Sequence, residues 1–119
     1  MLPLADANLY SVTGREDANG VAGNWAVTAS ALCAPPPAGL EVINGQSAIN
    51  SVNPKFLELS CPAGKRVHGV GGEIVGGNGQ VRLTEMRATS LTTVTVRAAE
   101  DEDGFGSDWK VRAYAVCAA

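Results

Sequence analysis

Residues 109–117 alternate without interruption. Trp109, Val111, Ala113, Ala115 and Cys117 fall on one side, and Lys110, Arg112 and Tyr114 on the other. A period of two predicts a strand with one face buried. Residues 25–33 repeat the pattern, with Trp25, Val27, Ala29, Ala31 and Cys33 on one side and Ala26, Thr28 and Ser30 on the other. Trp25 and Trp109 share the parity of the apolar set, so both are assigned to the core rather than to a sugar-stacking surface. The alanines leave little bulk on that face, which predicts close approach of another backbone. Further strands are predicted over residues 9–12, 40–43, 55–60, 67–75, 80–83 and 91–98. In the fourth of these, Gly69, Gly71 and Gly72 predict a bulge or a close contact. Asn78-Gly79 predicts a two-residue hairpin turn between residues 67–75 and 80–83, because both turn positions need positive φ. No long segment carries apolar residues at helical spacing between caps. The expected fold is all-β, an antiparallel sandwich or prism-like arrangement with an internal repeat.

The repeat extends beyond the strands. Residues 12–34 align with residues 96–118 without a gap, and ten of the 23 columns are identical. A constant offset of this kind is evidence about architecture. Residues 1–34 read as the tail of one unit and residues 35–119 as a complete one, within a single β domain. The proline-rich residues 34–38 form a stiff junction between them. A chain holding a unit and a part is expected either to be cut from a longer tandem array or to use its own N-terminal piece to complete the fold. An unpaired edge left by that arrangement predicts a homo-oligomer.

Composition narrows the class. The 119 residues include 14 glycines and only 5% aromatics, which suits tightly packed strands and turns. The net charge of −3 argues against nucleic acid as a partner. No apolar run approaches the ~20 residues needed to span a bilayer, so no membrane insertion is expected. No secretory leader is recognisable after Met1. Cys33, Cys61 and Cys117 are far apart and only one histidine is present, which is not a zinc pattern. A disulfide with one thiol left over is the simplest reading, and it favours an oxidising compartment.

Candidate chemistry is sparse. The turns Glu16-Asp17-Ala18-Asn19-Gly20 and Glu100-Asp101-Glu102-Asp103-Gly104 place oxygens at alternate positions before a glycine. Asp17, Asn19, Asp101 and Asp103 are therefore calcium candidates, set against the simpler reading of a polar turn. No other cofactor is expected. His68 has no nucleophile motif beside it and reads as a surface or interface residue. Glu73 with Glu85, or Asp101 with Asp103, could act as a carboxylate pair in a hydrolase, which sequence spacing alone does not establish. The glycine-rich stretch 69–79 opens no helix and lacks Gly-Lys-Ser/Thr, so it is not a nucleotide loop. Tyr114, with Lys110, Arg112 and His68, is the candidate ligand-contact set.

The segments Cys61-Pro-Ala-Gly-Lys-Arg-Val-His-Gly-Val-Gly-Gly-Glu-Ile, Gly77-Asn-Gly-Gln-Val-Arg-Leu and Trp109-Lys-Val-Arg-Ala-Tyr-Ala-Val-Cys-Ala resemble a repeat found in exported actinobacterial proteins of largely unassigned function. The resemblance covers residues 29–118. It implies secretion, a β-rich fold and a disulfide between Cys33 and Cys61, with Cys61–Cys117 as the competing pairing. The reading that follows is a secreted or cell-surface, non-enzymatic binding or structural module for an extracellular ligand or protein. A calcium- or carbohydrate-binding protein is the alternative, and a hydrolase the third class.

Overall fold

The structure is a computed structural model that describes residues 2–3 and 10–119. A two-residue ribbon, β1 (Leu2–Pro3) with β2 (Tyr10–Ser11), precedes six longer strands. These are β3 (Glu41–Gln46), β4 (Lys55–Ser60), β5 (Arg66–Gly76), β6 (Val81–Ala88), β7 (Thr93–Glu100) and β8 (Trp109–Ala118). They form two antiparallel three-stranded sheets, ordered β3-β8-β5 and β4-β7-β6. Each sheet is thus built around one of the last two strands. The protein is all-β, and no helix among the described residues is long and apolar enough to cross a membrane.

The sheets pack face to face. Val81, Val94, Val96 and Ala98 from one meet Trp109, Val111, Ala113, Ala115 and Cys117 from the other, all of them buried. The alternation of β8 therefore faces the core as its pattern predicts. Its alanines have a definite use. Ala113 pairs with Gly45 on one side and Gly72 on the other, which makes a shallow row across the sheet. Larger side chains of the facing sheet and its flanks enter that row. A Cβ on Gly45 would lie 2.8 Å from Leu59 Cδ2, and one on Gly72 would lie 2.9 Å from Val96 Cγ1. Close interdigitation at this row leaves no room for a methyl group.

The glycine-rich strand β5 carries the bulge its sequence predicts. The register against β8 steps from Val67–Cys117 to Gly69–Val116, so His68 is the extra residue. The Asn78-Gly79 turn differs from expectation. Both positions do have positive φ, at 46° and 82°. They lie in or beside a short 3₁₀ turn (Gly77–Gly79) that carries the chain from β5 in one sheet to β6 in the other. The two strands do not pair with each other: β5 is laddered to β8 and β6 to β7.

The first repeat copy departs most from expectation. Residues 12–34 contain no strand, and Leu9 lies outside the described residues. Trp25 and Val27, assigned to the core by parity, are 50% and 51% exposed. The reason is the lack of flanking strands: β3 and β5 lie on either side of β8, and among the described residues no pair flanks residues 25–33. The disulfide joins Cys61 to Cys117, not Cys33 to Cys61, and Cys33 is an exposed thiol. Cys61 follows the end of β4, and Cys117 faces inward from β8. The bond therefore ties one sheet to the other.

Candidate functional site

The two acidic turns form the most organised polar region. Each is closed in the same way. The Gly20 amide donates to the Asp17 carbonyl at 3.1 Å, and the Gly104 amide to the Asp101 carbonyl at 3.1 Å. Asp17 Oδ1 accepts from the Asn19 amide at 3.0 Å, and Asp101 Oδ1 from the Asp103 amide at 3.0 Å. Gly20 and Gly104 have φ of 69° and 71°. An aspartate that bonds the backbone two residues on is a local turn former. The second turn carries the chain from β7 to β8, between sheets, and so is not a hairpin.

The turns also touch one another. Asn19 Nδ2 donates to Asp103 Oδ2 at 2.8 Å. Gln80 serves both, taking the Asp101 amide on its carbonyl at 2.7 Å and the Ala18 amide on Oε1 at 3.1 Å. Arg15 adds a bond to Asn78 Oδ1 at 2.9 Å. A Cβ on Gly79 would sit 2.5 Å from the Glu16 carbonyl oxygen, so a bare backbone is required where the first turn docks. A cleft between the turns is lined by Glu16, Asp17, Asp101 and Glu102, together with Arg15 and Arg82.

Of the four calcium candidates, Asn19 and Asp103 are joined to each other, while Asp17 and Asp101 brace their own turns. Among the described residues, Asp101 Oδ2 is buried without a hydrogen-bond partner. Among the described residues, no three histidine, cysteine, aspartate or glutamate side chains converge as a metal cluster.

The ligand-contact candidates lie apart from the turns, on the outer face of the sheet β3-β8-β5. Lys110 Nζ donates to Gln46 Oε1 at 2.9 Å, and Arg112 Nε to the same oxygen at 3.4 Å. Tyr114 Oη donates to Glu73 Oε2 at 3.4 Å, and Arg112 lies 3.8 Å from that carboxylate. These residues form one cross-strand polar row. His68 is exposed at the bulge, and no hydrogen bond or ion pair among the described residues joins it to that row. Of the carboxylate pairs of the hydrolase reading, Asp101 and Asp103 share one turn, while Glu73 and Glu85 are separated. Glu73 belongs to this row on β5, while Glu85 on β6 pairs with Arg87 at 2.9 Å in the other sheet.

Sequence reasoning missed one polar site. Lys55 is 6% exposed, bonded to Asn50 Oδ1, with its ammonium 4.8 Å from the centroid of the Trp109 ring. It is the first residue of β4, and a lysine there gives no local sign of burial. Its charge is stabilised by the ring face and the amide oxygen.

The fold and these polar features define a two-sheet, disulfide-tied β-sandwich with an N-terminal arm docked through an acidic turn. Comparison with protein-family models, with curated proteins and with solved structures finds no match to this chain.

Proposed function

We propose that this chain is a non-enzymatic binding or structural module that works outside the cell. The observation that carries the reading is the arm formed by residues 21–34. It is exposed along its whole length and presents Trp25, Val27 and Leu32, at 50%, 51% and 103% exposure. Trp25 and Val27 keep the strand alternation, Leu32 projects from the opposite parity, and an exposed apolar arm of this kind suits pairing with another β-rich chain. A disulfide between the two sheets suits an oxidising environment. The partner most directly implied is a second copy, since β3, β5, β4 and β6 are the edge strands of its two sheets among the described residues.

Sedimentation of the oxidised chain across a concentration series tests this reading. Reversible self-association is expected, weakened by the double variant Trp25→Ala, Leu32→Ser. A monomer at every concentration removes the second copy as partner. Carbohydrate or calcium binding is the second reading. It is favoured by the half-exposed Trp25 ring and by the unpartnered Asp101 Oδ2. Calorimetric titration with calcium, and separately with oligosaccharides, checks it.

A further inference from the structure

Strand β8 has ten residues, and six are fully buried: Trp109, Val111, Ala113, Ala115, Cys117 and Ala118. All six are identical in the first repeat copy, as Trp25, Val27, Ala29, Ala31, Cys33 and Ala34. The remaining four, Lys110, Arg112, Tyr114 and Val116, all differ, being Ala26, Thr28, Ser30 and Leu32. Identity thus follows complete burial, and among the four positions that differ only Val116 is also buried, at 7% exposure. The exposed segment 25–34 has every side chain that the interior of the sandwich demands of β8, including the alanine that fits between Gly45 and Gly72.

The ends of the segment are placed for the same position. It starts five residues after Gly20, as β8 starts five residues after Gly104, and the two turns are already in contact through Asn19 and Asp103. At the other end, β8 runs antiparallel to β3 with Cys117 opposite Glu41, and the Ala119 amide donates to the Ala38 carbonyl at 2.9 Å. With Cys33 in the place of Cys117, residues 34–40, which include Pro35, Pro36 and Pro37, would form the seven-residue connection into β3.

We infer that the position between β3 and β5 is a docking surface for two segments of the same chain, and that residues 25–34 can replace β8 in it. The exchange carries the disulfide with it. The Cys33 thiolate attacks Sγ of Cys61, the more exposed half of the bond. The Cys33–Cys61 bond forms, the Cys61–Cys117 bond breaks, and Cys117 leaves as thiolate and takes up the proton that Cys33 gave up. No oxidant or reductant is consumed. Because both occupants bury the same six side chains, the two arrangements lie close in free energy. The intramolecular route is favoured by the high effective concentration of a tethered strand. The inference concerns the chain's own fold and holds whether or not the arm also takes an external partner.

The test is a disulfide map of the monomer. The full-length oxidised chain is incubated at mildly alkaline pH with a trace of reduced glutathione, alkylated, digested and mapped by mass. A Cys33–Cys61 peptide is expected in about one-tenth or more of the chains, which corresponds to a preference of no more than about 1.4 kcal/mol. Retention of Cys61–Cys117 with Cys33 fully alkylated overturns the inference, and so does a Cys33–Cys61 link found only between molecules. A second measurement uses Cys117→Ser with Trp109→Phe, so that Trp25 alone reports, and supplies oxidised glutathione as the oxidant because Cys33 and Cys61 both start as thiols in this variant. Formation of Cys33–Cys61 with a blue shift of Trp25 emission supports exchange. Sheet-type circular dichroism with both thiols free and Trp25 still in water overturns it. If that variant does not fold, the wild-type map decides alone.

Discussion

Asn19 Nδ2 donates to Asp103 Oδ2 at 2.8 Å, and the two residues occupy equivalent places in the repeat, 84 positions apart. The bond is exposed, so it contributes at most about 1 kcal/mol. Its effect is positional, since it holds the first turn against the second. Asn19→Ala is expected to leave the urea midpoint nearly unchanged while speeding tryptic cleavage after Arg15, whose own anchor is Asn78. Unchanged cleavage would show that the turn is held without this contact.

The two tryptophans should respond differently to truncation. Trp109 is fully buried and Trp25 half exposed. Trp109→Ala is expected to cost about 3–5 kcal/mol through the cavity it leaves. Trp25→Ala, which loses the bond from its Nε1 to Glu16 Oε1 at 2.8 Å and a half-exposed ring, should cost about 1 kcal/mol. Chemical denaturation of both variants gives the comparison, and acrylamide quenching should reach Trp25 far more readily than Trp109.

Gly72→Ala tests the close approach of the two sheets. The new methyl would meet Val96 Cγ1 at 2.9 Å, with Leu83 and Met86 both at 3.3 Å. Overpacking of this kind costs about 1–3 kcal/mol. Gly23→Ala, where nothing lies within 4 Å, serves as the control and should be neutral or better in thermal melts.

Lys55→Met retains most of the apolar stem and removes the charge. The loss of a charged hydrogen bond to Asn50 and of the contact with the Trp109 ring should destabilise by about 2 kcal/mol. A variant as stable as the parent in urea titration would show that the apolar stem alone accounts for the burial of this side chain.

Cys61→Ala removes the partner of both possible disulfides. Its bond to Cys117 spans 56 residues, and the chain-entropy model assigns a loop of that length about 4 kcal/mol. Equilibrium unfolding of the variant should match that of the reduced parent. A loss well below this value would point to a denatured state that is already compact.

Strands and their faces were legible in the chain wherever the period of two was clean. Residues 55–60 coincide with β4, the inward set of β8 is the predicted one, and the bulge falls among the glycines of β5. These features are local: alternation records which side of a strand is apolar, and glycine records where a neighbour comes close. The tertiary structure decided which of two matching strands is buried. Trp25 and Trp109 carry the same local pattern, but β3 and β5 flank only the second, and a strand buries its apolar face only where other strands cover it. The same dependence on distant partners sent β5 and β6 to different sheets across a turn that reads as a hairpin. It also paired Cys61 with Cys117, since a disulfide forms between sulfurs that the fold brings together, and one side chain's alternation gives no sign of its partner.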